Sequence, residues 1–406
     1  MEDSYGFGRL RFQTPSWFGT LISMNIGFFT DTYVPQVNGV VSSIIAFKQE
    51  LEKQNHKVYI FAPSVPGYKD NFKEKARIFR FRSFKFLFQP EYRVAQPFCW
   101  KFLRQISKIK LDIIHAHTPF SLGVLALLIS YLQNRPLVYT HHAFYHEYVK
   151  IYLWKGRLFP PKVAKKITTA FCNKCNAIIA PSFKVKHLLK KDGVKKKILE
   201  LPSGISFQNF AQPIKSNDFR RKHGISDKAN VLIFVGRIAK EKNIEFLISV
   251  FEKISQELDD VYFVLVGDGI YRAKLNLFAE KIGSRKNIIF TGYLQGSELI
   301  KSYQTADIFI YSSKTETQGL VVLEAAASGL PIVALKDLAF KNILIDSFNG
   351  YLVADESVED FSQKVIKILK NSKMSEKMSQ NSKALAQKFS VSNQTNKLVA
   401  LYQSLM

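Results

Sequence analysis

Two glutamates eight positions apart, Glu316 and Glu324, stand in the segment SSKTETQGLVVLEAAASGLPIVAL. The stretch Asp307–Tyr311 before them reads as a strand, and TETQG is polar and turn-forming. Gly319 then opens a run of strong helix formers that closes at Ser328-Gly329-Leu330-Pro331. Glu316 is therefore expected in the loop after a strand, and Glu324 inside the following helix, more than a turn from its start. Ligands of open α/β sheets bind beyond the carboxyl ends of the strands. One acid placed there can hold the hydroxyls of a sugar, while the other, a layer deeper, holds a second polyol such as a ribose. The alternative is a helix-terminal acid plus a surface acid. The apolar setting of Glu324 argues against it, because a buried acid needs a partner.

Cations follow another expected strand. Arg237 and Lys242, in GRIAKEKN, come directly after the run Val231–Val235. Gly236 lets the backbone approach a ligand, and the next helix offers free N–H groups at its start. Arginine grips a phosphate with paired N–H groups and lysine adds a point charge. Gly39, in PQVNGV, lies between the first strand and the first helix, where a glycine permits approach to a diphosphate. His115 and His117 end the strand Leu111–Ile114 in HAHTP, and His142 closes the next one in VYTHHAFYHEYVKIY. His117 can bond a sugar hydroxyl and orient two reactants. His142 and His146 are four apart but no third ligand is indicated, so no metal site is expected. Asp268 and Gly269 in VGDG read as a tight turn after a buried strand.

These segments resemble glycosyltransferase family 4, retaining enzymes of the two-domain GT-B fold. The E-x7-E element, VNGV near residue 39, HAHTPFSLG at 115–123, PSGI at 202–205, VGRIAKEKN at 235–243 and VGDG at 266–269 occur in the family's order over most of 24–335. The resemblance implies an α/β GT-B fold, two doubly wound parallel-sheet, Rossmann-like domains facing a cleft. It implies catalytic roles for His117, His142 and Glu316, and donor binding by Gly39, Arg237, Lys242, Asp268, Gly319, Leu320 and Glu324. Asn38 stands where many relatives have a second glycine. No cofactor or metal is expected, the nucleotide sugar being a substrate. The pattern T-x-H-x-x-Y-x-x-Y from Thr140 is similar to that of members that glucosylate diacylglycerol. The implied reaction moves a hexose, glucose from UDP-glucose, to 1,2-diacylglycerol with retention. Another lipid acceptor, or a GDP-mannose donor, stays open.

Composition frames these expectations. The chain has 406 residues, 47% of them hydrophobic, which suits two domains and excludes a disordered chain. Its three cysteines argue against a disulfide framework, and Cys172-x-x-Cys175 reads as structural filler. No apolar run reaches the ~18–20 residues of a membrane span. The longest candidate, Leu122–Leu132, reads as a buried helix. Net charge is +25, from 58 Lys and Arg against 33 Asp and Glu, which predicts an anionic partner. Fourteen of these cations and one acid fall between Lys150 and Lys197, and aromatic and basic residues interleave from Phe72 to Arg104. An anionic membrane surface fits both, with Lys190, Lys191, Lys195, Lys196 and Lys197 as contacts and a peripheral place on the cytoplasmic face. A nucleic-acid binder is the alternative from a different class, but no recognition motif for RNA or DNA is present.

Alternating strand and helix patterns run twice along the chain, as in βαβ units. Strands are expected at 24–29, 57–62, 76–81, 112–115, 137–140, 177–180 and 198–201, then at 231–235, 261–266, 287–290, 307–310 and 331–334. The domain reading sets aside 1–23 as an extension, gives 24–206 to an acceptor-side, membrane-facing domain and 207–385 to a nucleotide-sugar domain. The family resemblance implies that residues 386–406 form a helix crossing back to the first domain. Phe207–Ala229 reads as a linker, and the chain after Glu356 as purely helical.

Overall fold

The computed structural model describes residues 23–71, 75–86, 89–97, 104, 106–145, 160–213 and 218–406. Two parallel sheets organise them. The first contains β1 (Asn25–Phe29), β2 (Lys57–Pro63), β3 (Ile78–Phe81), β6 (Ile113–Ala116), β7 (Leu137–Thr140), β8 (Ala177–Ala180) and β9 (Lys197–Glu200), in the order β3-β2-β1-β6-β7-β8-β9. The second contains β10 (Asn230–Val235), β11 (Val261–Val266), β12 (Ile288–Gly292), β13 (Ile308–Tyr311), β14 (Ile332–Leu335) and β15 (Gly350–Val353), in the order β12-β11-β10-β13-β14-β15. Helices cover both faces, so the central strands are buried on both sides and read as unbroken apolar runs, such as Val231–Val235. In each sheet the strand order reverses beside the first strand. The loops after β1 and β6, and after β10 and β13, therefore flank a crevice in each domain, the place where doubly wound sheets bind ligands.

The expected strands form within two residues of their predicted ends. Two features were not anticipated. β15 is a short, glycine-led edge strand, and Ser83–Phe86 (β4) pairs antiparallel with Gln89–Ala95 (β5). Two expectations are corrected. The helix Ser121–Gln133 is not buried all round, because Leu122, Leu125, Ala126 and Ile129 pack inward while Val124, Tyr131 and Leu132 are exposed. Phe207–Ala229 is not a free spacer, since Phe219, Ile225 and Ala229 enter the second core.

The chain passes between the sheets twice at one place. Ile205 N donates to Phe389 O at 3.1 Å and Val391 N donates to Ile205 O at 2.9 Å. Gly204 permits this contact, because a Cβ there would lie 2.4 Å from the Val391 Cα. The final helix, Val391–Gln403, then buries Leu398, Val399, Leu401 and Tyr402 in the first domain's core. At about 1.5–3 kcal/mol for each large apolar side chain, that contact fixes the end of the chain firmly.

Candidate active site

The site has one half on each sheet. On the first, His117 follows β6 directly and its N–H is held by Phe29 O at 2.8 Å. His117 Nδ1 lies 3.0 Å from His142 Nε2, and the two rings stack. Burial drives both imidazoles toward the neutral form: His142 falls to about 3, and His117 falls well below its usual value, with His115 and His142 adding repulsion. One neutral ring must donate to the other. His117 Nε2 is buried and has no hydrogen-bond partner among the described residues, which is costly unless a ligand supplies one. His115 is different. It bonds the Tyr402 hydroxyl at 2.6 Å and Thr140 Oγ1 at 2.7 Å, a structural role that ties the last helix to β6.

Sequence reasoning passes over Asp31, in the loop after β1. Its buried carboxylate accepts from Thr118 Oγ1 at 2.6 Å, from the Ser121 hydroxyl and from Leu122 N at 3.2 Å. It thereby fixes the turn that carries His117. Burial raises its pKa, with those bonds opposing. Asn38 caps the helix Gly39–Lys53 through Val40 N and Val41 N, at 3.1 and 3.0 Å. A Cβ on Gly39 would meet only Leu320 Cδ1, at 3.5 Å, so Gly39 and Leu320 face one another across the cleft and the fold alone does not require glycine.

On the second sheet, Glu316 lies in the loop after β13. It forms an ion pair with Lys242 and accepts from the Tyr311 hydroxyl at 2.8 Å. Burial alone would raise its pKa. The Lys242 charge, with hydrogen bonds from Lys242, Tyr311 and Ser313, instead holds it below the usual carboxylate value. Arg237 pairs with Glu241 at 2.7 Å. The two expected clamp cations therefore both carry carboxylate partners here. Asp268 accepts from Gly269 N at 2.8 Å and pairs with Arg272 at 3.2 Å. Its carbonyl accepts from Ile238 N at 2.9 Å, so this turn braces the loop holding Arg237.

Gly319 sits at φ +74°, and a Cβ there would lie 2.5 Å from the Phe340 ring, so only glycine lets the loop turn into the helix Leu320–Ala327. Glu324, in that helix, accepts from the Tyr303 hydroxyl at 2.9 Å. Burial raises its carboxyl to about 7 against that bond's opposing effect. The halves touch where Thr317 Oγ1 donates to His142 O at 3.0 Å and Gln318 bonds both backbone groups of Ser203. Lys184 adds an ion pair to Asp337 at 2.5 Å and a bond to Lys314 O at 2.8 Å.

Lys190, Lys191, Lys195, Lys196 and Lys197 are all exposed, from the end of the helix Phe183–Lys191 to the start of β9. That is the amino end of the strands, opposite the end carrying His117. His146, Glu147, Tyr148 and Tyr152 lie outside the described residues, as does part of the Phe72–Arg104 stretch. Cys172 and Cys175 are buried thiols, with burial pushing Cys172 up to about 12. Among the described residues, no cluster of three or more His, Cys, Asp or Glu could hold a metal, and no helix is long and apolar enough to cross a membrane.

Residues 37–209 match the model described as Glycosyltransferase Family 4, and residues 215–385 match Glycosyl transferases group 1. The alpha-monoglucosyldiacylglycerol synthase of Streptococcus pneumoniae is 38% identical over 337 residues, covering 82% of this chain and 76% of that protein. The chain belongs to glycosyltransferase family 4. It is a hexosyltransferase. The Acholeplasma laidlawii enzyme of the same name is 32% identical over 345 residues, covering 80% of this chain and 84% of that protein. Among solved structures, Anabaena HepE in complex with UDP and glucose superposes with a TM-score of 0.76 at 18% identity, over 94% of this chain and 100% of that one. That likeness establishes the shared GT-B fold.

Proposed function

We propose that this enzyme transfers glucose from UDP-glucose to 1,2-diacylglycerol, with retention, at an anionic membrane surface. The observation that carries the reading is the bond from Thr317 to the His142 carbonyl, because it sets the Glu316 loop against the two neutral histidines. Glu316 receives the hydroxyls of the transferred sugar, and Glu324 those of the ribose. Arg237 and Lys242 neutralise the departing diphosphate, Lys242 being shared between the phosphate and Glu316. Gly39, Gly319 and Leu320 line the donor, and Asp268 supports the base side. The bond from C1 to the β-phosphate oxygen breaks as the acceptor oxygen bonds C1 on the same face. The acceptor proton passes to the leaving phosphate oxygen, and UDP departs. His117 Nε2, lacking a partner, orients a hydroxyl of donor or acceptor, and His142 holds its ring in place.

The acceptor assignment is supported by the similarity to the two diacylglycerol enzymes and by the basic side of the first domain. The helix Pro161–Lys174 carries Lys162, Lys165, Lys166 and Lys174 and no acid, and exposes Val163 at 40% and Ile167 at 48%. It runs from the cleft end of the sheet back toward the cluster Lys190–Lys197, so the domain docks on its side. GDP-mannose-dependent alpha-mannosyltransferases, such as one from Mycobacterium tuberculosis at 26% identity, give the alternative donor a specific basis. A panel of UDP-glucose, UDP-galactose and GDP-mannose against vesicles with diacylglycerol, phosphatidylinositol or glycolipid tests the reading. A single strong signal for UDP-glucose with diacylglycerol supports it, and a preference for any other pair overturns it.

A further inference from the structure

We propose that Gln318 is a positioning residue that sets the sugar-binding loop by fastening it to the crossover between the two domains. Its amide oxygen accepts from Ser203 N at 2.8 Å and its amide nitrogen donates to Ser203 O at 2.9 Å. The side chain is 4% exposed, and Ser203 is buried as well. Both amide groups are thus committed to Ser203, so Gln318 acts on the reaction through its neighbours and not by touching substrate. Ser203 belongs to the first stretch of chain that crosses between the domains, next to Gly204, which lies close against Val391, and Ile205, which pairs with Phe389 and Val391 of the returning stretch. The Ser203 hydroxyl lies 2.8 Å from that of Ser43, on the helix that begins at Gly39.

Gln318 consequently joins three things: the paired crossovers, the helix behind the Gly39 loop, and the loop holding Glu316. Gly319 beside it turns at positive φ in a space against Phe340 that only glycine fits, so Gln318 fastens the loop at the residue just before that turn. A change in the setting of the domains is therefore delivered to Glu316, two residues away. Misplacement by about 1 Å at a reacting centre costs on the order of 10²-fold in rate. Nucleoside diphosphate binding depends on Arg237, Lys242 and Glu324 in the second domain and is largely spared.

This inference rests on the reading of the Glu316 loop as the sugar site, so the test carries Glu316→Ala alongside. Full-length wild type, Gln318→Ala, Gln318→Glu and Glu316→Ala are compared for kcat, donor KM and calorimetric UDP affinity. Gln318→Ala should lower kcat by about 10-fold or more while UDP affinity stays within about twofold. Gln318→Glu supplies the discriminating readout. Its carboxylate accepts from Ser203 N but repels Ser203 O, whereas the protonated carboxyl both accepts and donates, as the amide does. Its kcat relative to wild type should be low at pH 8 and recover as pH falls toward about 5.5, burial raising the new carboxyl's pKa. Wild-type kcat in Gln318→Ala, or a flat Gln318→Glu to wild-type ratio across that range, overturns the inference while an impaired Glu316→Ala leaves the site intact. If Glu316→Ala keeps wild-type kcat, the site reading falls and this inference falls with it. Should Gln318→Ala fail to fold, the pH ratio of Gln318→Glu decides alone.

Discussion

Replacing Glu324 by glutamine separates the cost of a carboxylate held inside the protein from the use made of it. Burial lifts this carboxyl from its usual 4.5 to about 7, although Tyr303 donates to it. The gap corresponds to roughly 3.5 kcal/mol at about 1.4 kcal/mol for each pKa unit, an upper bound because the side chain keeps some contact with solvent. Because the folded protein holds this proton more tightly than the unfolded chain, the stabilising contribution is complete below pH 4.5. It is lost as pH rises through that value and up to about 7. Glutamine is neutral throughout and still accepts from Tyr303. Glu324→Gln should therefore melt with wild type near pH 4 and several degrees higher at pH 8, at about 2–4 °C per kcal/mol. Ligand binding should show the opposite sign. In the proposed reading ribose hydroxyls donate to the ionised acid, so UDP uptake by wild type near pH 6.5 should release a proton from it, seen by calorimetry in buffers of different ionisation heat. The variant should bind UDP more weakly and release fewer protons, keeping only those that the terminal phosphate of UDP gives up. Parallel melting curves for the two proteins from pH 4 to 8 would refute the reasoning.

Other outcomes follow from the same geometry. Arg237→Ala and Lys242→Ala should each weaken UDP binding by calorimetry, by about 10-fold for a lost charged contact. Lys242→Ala should also lower the melting temperature by stranding Glu316, and adding Glu316→Ala should restore part of it. Turnover should survive exhaustive chelation, since the proposed clamp cations would supply the positive charge, and loss with EDTA reversed by magnesium or manganese would contradict the clamp. Vesicle flotation should rise with anionic lipid and fall with salt. It should weaken when Lys190, Lys191, Lys195, Lys196 and Lys197 are neutralised, or when Val163 and Ile167 become serine, and equal binding to neutral and anionic vesicles would contradict the docking surface.

Both sheets were legible because their strands are apolar on both faces and end at polar, glycine-containing turns, as Val231–Val235 does before Gly236. β15 escaped because it opens on Gly350 straight after a polar turn, leaving only Tyr351, Leu352 and Val353 to carry a strand pattern, and β4–β5 because its aromatic and basic residues read as a surface stretch. The candidate site residues at strand ends, His117, Glu316 and Arg237, carry their position in the local pattern. Their partners do not. Gln318 meets Ser203 across 115 positions and Thr317 meets His142 across 175, and no periodicity encodes either contact. His115 and His117 look alike in HAHTP, and only the arrival of Tyr402 from the far end of the chain separates a ring with both nitrogens bonded from the candidate ring whose Nε2 is left open among the described residues. Asp31 was hidden for a similar reason, its donors Thr118 and Ser121 lying 87 and 90 positions away.

The most direct test incubates wild type and Glu316→Ala with radiolabelled UDP-glucose and anionic vesicles containing 1,2-diacylglycerol. The lipid extract is then scored for product and anomeric configuration. The account predicts an α-linked monoglucosyl lipid from wild type and a rate lower by roughly 10²-fold or more from the variant, with the fold retained. No glucosyl lipid from wild type, a β-linked product, or an undiminished rate from Glu316→Ala would contradict it.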